Sequence, residues 1–133
     1  MKIAPCSMRF KGLVSMMFLA LTMVGCSKNI YNTSTIQQLE KEAYFAKMAE
    51  TKNPYVLDVR TKMEHNKEHI DGAVSMSILN SFYEKVELLD TTRTVFLYCE
   101  TAHRSPFATM KLKQVGFTKI YDLKGGYITL REK

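Results

Sequence analysis

Cys99 is the side chain of this chain best suited to covalent chemistry. It opens the run Cys99-Glu100-Thr101-Ala102-His103-Arg104-Ser105, which links an apolar, strand-like segment to a helix-like one. A loop of that kind ends on a helix N-terminus, where free backbone N–H groups and the positive end of the helix dipole favour an anion. Such a field favours the thiolate, which is the nucleophilic form of cysteine. Arg104 adds a permanent positive charge and a planar fork of donors that suits an oxyanion. Glu100 works the other way, placing a negative charge beside the thiol that opposes both the thiolate and an anionic ligand. His103 is a loop histidine, and solvation is the ordinary state of such a residue. The bland alternative for Cys99 is a buried, inert thiol.

The elements that must hold this loop follow from the pattern of apolar residues. Thr94-Val95-Phe96-Leu97-Tyr98 is rich in β-branched and aromatic residues and predicts a central strand running straight into Cys99. Ser105-Pro106 predicts the start of a helix, proline being favoured at the first helical position, and Gly116 its C-cap. Lys119 to Leu123 predicts a last strand, and Gly125-Gly126 a turn into a short terminal helix. Upstream, Asn29 to Asn32 reads as a short strand. Ser34 reads as an N-cap with Gln37 three residues on. The helix from Thr35 to Glu50 would then carry Ile36, Leu39, Ala43, Phe45 and Ala46 on its core face. Asn53-Pro54 breaks that helix before the compact apolar strand Tyr55 to Val59, of the kind buried on both faces of a parallel sheet. Thr61 to His69 predicts a short surface helix, Ile70 to Val74 a turn into a strand, and Leu79 to Leu89 a helix. Strands that alternate with helices imply one α/β domain with a parallel sheet, in which ligands collect at the carboxyl ends of the strands. Cys99 stands at such an end.

Four motifs in order give the segment from Tyr55 to the C-terminus a specific resemblance to the rhodanese (sulfurtransferase) domain. They are Leu57-Asp58-Val59-Arg60 with Glu64; Glu68-His69-Ile70-Asp71-Gly72-Ala73; the strand entering Cys99 with Arg104-Ser105; and Gly116-Phe117 followed by Tyr121-Asp122-Leu123-Lys124-Gly125-Gly126. The resemblance implies a three-layer fold, a central parallel sheet with helices on both faces. It also implies a mechanism: Cys99 takes the outer sulfur of thiosulfate or a persulfide donor, keeps it as a persulfide, and passes it to a thiophilic acceptor. The backbone from Glu100 through Thr101, Ala102, His103 and Arg104 to Ser105 would cradle that sulfur, Arg104 would help hold the anionic donor, and no metal or organic cofactor is implied. Asp58, Arg60 and His69 are given structural roles, with Arg60 paired to Glu64 or another carboxylate, and His65 is read as solvated. Cysteine phosphatases separate cysteine and arginine by five residues; here four stand between them, Glu100 to His103. Ala102 occupies a position where sulfurtransferases often have glycine, so a left-handed backbone there would be strained. The competing reading is a rhodanese-like module that binds a partner or carries sulfur without turnover.

The N-terminus resembles a lipoprotein signal. Lys2, Arg9 and Lys11 precede an uncharged run from Gly12 to Gly25, too short for a spanning helix of about 20 apolar residues. The run ends in Met23-Val24-Gly25-Cys26-Ser27, which is similar to a lipobox with Cys26 as the lipidated residue. The expected organisation is a signal peptide over residues 1–25, a tether over 26–34 and the rhodanese-like domain over 35–133. The domain would sit in a bacterial cell envelope, on the periplasmic side, anchored to the membrane through Cys26. Cys6 leaves with the signal, so Cys99 would be the one free thiol. Losing three basic residues from 19 Lys+Arg leaves 16 against 13 Asp+Glu, about +3, which gives no case for nucleic acid. The expected partners are small sulfur-containing anions and thiol or persulfide acceptors.

Overall fold

The computed structural model describes residues 29–132. The expectations for the signal segment, Cys6 and Cys26 lie outside the described residues. Five strands form one parallel sheet: β1 (Ile36–Leu39), β2 (Tyr55–Asp58), β3 (Val74–Ser75), β4 (Val95–Tyr98) and β5 (Ile120–Leu123), in the order β1-β5-β4-β2-β3. β4 lies at the centre, paired with β2 from Tyr55↔Val95 to Asp58↔Tyr98 and with β5 from Val95↔Ile120 to Leu97↔Asp122. It is buried along its whole length, which is why its sequence reads as an unbroken apolar run.

Two apolar layers sandwich the sheet, and the period-2 alternation of β4 divides its side chains between them. Val95, Leu97 and Cys99 face one side, where they pack with Leu57, Val59, Phe82, Val86, Ala108 and Leu112. Phe96 and Tyr98 face the other, with Tyr44, Tyr121, Leu123 and Tyr127. The first layer is covered by α3 (Phe82–Lys85), its 3-10 extension Val86–Leu88, and α4 (Ser105–Gln114). The second is covered by α1 (Lys41–Glu50) and a 3-10 turn at Tyr127–Leu130. The remaining helix, α2 (Lys62–Lys67), has no buried residue and is the expected surface helix. In α4 the buried positions Ser105, Ala108, Thr109 and Leu112 fall at helical spacing, with proline in the first turn and Gly116, at φ +109°, just past the end. Among the described residues no helix is long and apolar enough to cross a membrane.

Three expectations change. No strand forms at Asn29 to Asn32; instead the Tyr31 hydroxyl reaches Asp122 of β5. Residues 36–39 are a strand, not the first turn of a helix, because pairing with β5 from Ile36↔Ile120 to Leu39↔Leu123 satisfies their backbone in parallel register. Ser34 is therefore no N-cap: Gln37 Nε2 donates to the Ser34 carbonyl, and α1 begins after Glu40. That shift rotates the helix, so Tyr44 is its buried residue while Ala43 and Ala46 are exposed.

Candidate active site

β4 delivers Cys99 to the carboxyl edge of the sheet on the face covered by α4, and the residue is 0% exposed. Its Sγ–H donates to Ser105 Oγ over 3.7 Å, and Ser105, the first residue of α4, donates its own proton to Asp122 Oδ2 over 2.8 Å. Among the described residues, the backbone N–H groups of Glu100 to Arg104 make no hydrogen bond within the protein. The loop carbonyls, by contrast, are held: Tyr127 N–H donates to Cys99 O at 2.7 Å, and Ile128 N–H to Glu100 O at 3.1 Å. A loop with its carbonyls fixed and its N–H groups free is suited to an anion. Gly126 makes this clamp possible. It sits at φ +80°, and a Cβ there would stand 2.5 Å from Glu100 O and 2.7 Å from Thr101 N.

Ala102 lies in the left-handed region at φ 58°, so the strain expected of a side chain at this position is present. Thr101 Oγ1 and His103 Nδ1 hydrogen-bond at 2.9 Å across it, with both residues exposed. Arg104 engages Glu64 with two parallel bonds, Nη2–Oε1 at 2.9 Å and Nη1–Oε2 at 3.2 Å. Glu64 also closes the capping box of α2: its carboxylate accepts from Thr61 N–H, and its own N–H donates to Thr61 Oγ1. The Arg104 hydrogen bonds, with help from Thr61, hold the Glu64 carboxyl at about 2 against an ordinary 4.5. Arg104, and not Arg60, is thus the partner of Glu64.

Arg60 is fully buried and anchors a second network. Its Nε and Nη2 bind the Asp58 carboxylate at 2.9 and 2.8 Å, Nη1 binds Glu100 Oε2 at 3.0 Å, and Nη2 donates to the Glu68 carbonyl at 2.6 Å. The guanidinium carbon lies 4.0 Å from the Tyr127 ring centroid, a cation–π contact. Burial pushes the Asp58 carboxyl up, but the Arg60 bonds and charge outweigh it and hold the group below its usual range. Glu100 departs from the sequence expectation. Its carboxylate is bound by Arg60 and by Arg131, which also pairs with Glu68, so its negative charge beside the thiol is paired with two arginines. His69 Nδ1–H donates to the His65 carbonyl at 2.8 Å, a structural bond, and stacks on the His65 ring. His65 is more than solvated, because its Nδ1 lies 3.0 Å from Asp58 Oδ2.

The residues that sequence reasoning missed are Asp122, Tyr31 and Arg131. Asp122 is fully buried, and its Oδ2 also accepts from Tyr31 Oη at 2.5 Å and Gln38 Nε2 at 3.1 Å, while Oδ1 has no partner. Burial, the largest influence, raises its carboxyl above the usual range despite these three donors. A charged residue inside the apolar strand Ile120–Leu123 was the available signal.

A family model described as "Rhodanese-like domain" matches residues 41–131. The chain belongs to the rhodanese-like family. It is 29% identical over 115 residues to the uncharacterized protein YqhL of Bacillus subtilis, covering 86% of this chain and 88% of that one. It is 28% identical over 95 residues to the putative sulfur carrier protein YrkF of the same organism, covering 71% of this chain and 51% of that protein. Similarity to the probable adenylyltransferase/sulfurtransferase MoeZ of Mycobacterium tuberculosis reaches 39% over 75 residues, 55% of this chain but only 19% of that protein. Among solved structures, the rhodanese-like domain of an Anabaena protein superposes with a TM-score of 0.53 at 28% identity, covering 67% of this chain and 87% of that domain. A rhodanese-related protein from Thermoplasma volcanium shares the fold with a TM-score of 0.62 at 24% identity, covering 71% and 90%. The rhodanese-like domain therefore has the family's parallel sheet flanked by helices, and the family points to chemistry of the sulfurtransferase type.

Proposed function

We propose that this rhodanese-like domain is a sulfurtransferase that carries sulfane sulfur as a persulfide on Cys99. The observation that carries the reading is the run of free N–H groups from Glu100 to Arg104 around a cysteine at the end of the central strand. In the first step the Cys99 thiolate attacks the outer sulfur of thiosulfate. A Sγ–S bond forms, the S–S bond of thiosulfate breaks, and its electron pair leaves with sulfite. In the second step a thiophilic acceptor, cyanide or a thiolate, takes that outer sulfur and returns Cys99 as thiolate. Neither step consumes an oxidant or a reductant. The N–H groups of the loop hold the added sulfur, and Arg104, kept in place by Glu64, contributes positive charge at the rim.

A second reading is a carrier or binding module without turnover. It is favoured by the occupation of the Arg104 fork by Glu64 and by the strained Ala102. Lipidation of Cys26 and a place in the bacterial cell envelope, on the periplasmic side, remain part of the proposal, with fatty-acid labelling that Cys26→Ser abolishes as its check. The deciding measurement uses the full chain carrying Cys6→Ser and Cys26→Ser, weighed intact before and after thiosulfate. A gain of one sulfur, removed by cyanide as thiocyanate and absent in Cys99→Ser, is expected. No gain on folded, reduced protein would favour the module.

A further inference from the structure

We propose that Cys99 and Asp122 share one proton through the Ser105 hydroxyl, so that the buried thiol ionises by internal transfer to the carboxylate. The inference rests on the reading of Cys99 as a nucleophile for its purpose, though not for its test.

Cys99, Ser105 and Asp122 are all 0% exposed, and among the described residues the thiol's hydrogen bond is to Ser105. The hydrogen bonds give the path a direction. Ser105 has a single hydroxyl proton, and it is donated to Asp122 Oδ2; its oxygen therefore accepts from the Cys99 thiol. On transfer, the S–H bond breaks as a new Ser105 O–H bond forms, and the original Ser105 O–H bond breaks as Asp122 gains a proton. The hydroxyl then points back at the sulfur. One negative charge moves from carboxylate to thiolate, and nothing is oxidised or reduced.

The surroundings of the carboxylate favour the exchange. Asp122 faces Tyr31, Gln38 of β1, Ser105 of α4 and, by charge, Tyr44 of α1; among the described residues no cation pairs with it. A buried carboxylate with no counter-ion gains by taking a proton. Arg104, five residues after Cys99, brings a permanent positive charge to the same loop, where Glu64 holds it. Glu100, next to Cys99 in the chain, is paired with Arg60 and Arg131. Asp122 is a positioning residue in this scheme, since it acts on the sulfur through Ser105.

A purely structural Asp122, tying Tyr31, β1 and α4 together, would leave the two groups to titrate separately. The test is a pH titration of the full chain carrying Cys6→Ser and Cys26→Ser, following thiolate absorbance together with the infrared bands of S–H and of protonated carboxyl. The expected result is thiolate formed while the carboxyl band assigned by Asp122→Asn is still present. Ser105→Ala should cut the thiolate of that first step severalfold, and Ser105→Thr should restore it. Asp122→Asn should move thiolate formation to higher pH, whereas an Asp122 acting by charge alone would move it to lower pH on removal. Complete loss of the carboxyl band before any thiolate forms overturns the proposal, as does an unchanged first step in Ser105→Ala. If Asp122→Asn does not fold, the Ser105 pair still decides. A protein that shares the proton yet gains no sulfur from thiosulfate would retain this inference and lose the sulfurtransferase reading.

Discussion

Arg60 ties the active loop to the end of the second strand and Glu64 ties it to α2, by different physics. Arg60 is a buried charge whose worth lies in its partners: Asp58, Glu100 and the Glu68 carbonyl. Replacing it with methionine leaves the buried Asp58 carboxylate without its arginine and Glu100 with Arg131 alone, and breaking a buried pair in this way costs about 3–5 kcal/mol. Denaturant unfolding of Arg60→Met should show a loss of that order, with Asp58→Asn and Glu100→Gln in the same chain recovering part of it. Glu64 and Arg104 are each roughly a third exposed, so their pair matters more for where it places the guanidinium than for stability. Its pH signature is still clear. The Glu64 carboxyl titrates at about 2 in the folded chain against 4.5 ordinarily. A lowered folded-state value means the stabilisation is complete above 4.5 and is lost as pH falls from 4.5 towards 2. Glu64→Gln should therefore unfold with a flatter pH dependence across that window, read by thermal midpoints at a series of acid pH values.

At the scale of elements, the loop after β4 is shaped from two sides. Gly126 holds the C-terminal turn against it from one side. Gly126→Ala would meet two costs, a backbone conformation reserved for glycine and a Cβ 2.5 Å from Glu100 O, each of order 1–3 kcal/mol. A drop in melting temperature together with impaired sulfur loading on Cys99 is the expected pair of results. Ala102 strains the loop from within, at φ 58°. Ala102→Gly relieves about 1 kcal/mol of left-handed strain but loosens the unfolded chain by a similar amount, so its stability should change by less than about 1 kcal/mol. The first strand teaches a different lesson. Gln37 and Gln38 have little strand propensity, and from sequence alone they pass for the start of a helix. Pairing with β5 overrides that local preference, and it also brings Gln38 to Asp122.

Across the whole molecule, the sheet centre bears the stability and the N-terminal approach bears on the site. Leu97→Ala opens a cavity in a strand buried along its length, at a cost of about 2–5 kcal/mol by chemical denaturation. Tyr31 stands five residues before the first strand, yet its hydroxyl donates to the Asp122 carboxylate. The segment leading into the domain therefore touches the carboxylate that Ser105 links to Cys99. Tyr31→Phe removes one of the donors that favour the ionised carboxylate, which should raise the share of thiolate in the first titration step. An unchanged share would show that Tyr31 serves only to pack the segment, and a decrease would count against proton sharing.

What the amino-acid sequence determined by itself was local or periodic. The unbroken apolar run of β4, the proline and glycine that bound α4, and the distance along the chain from Cys99 to Arg104 are all short-range facts, and they gave the fold class and the reactive loop. Side-chain partners across the sheet were decided only by the tertiary structure. Glu64 lies four residues from Arg60 in the chain but pairs with Arg104, because α2 lays it beside the active loop. Glu100 sits next to the thiol in sequence, yet Arg60 and Arg131 neutralise its charge. Asp122 is far from Cys99 along the chain, and the parallel pairing of β4 with β5 is what sets the two on the same face of the sheet. Electrostatics depends on distance through space, and no pattern along a single chain reports that distance.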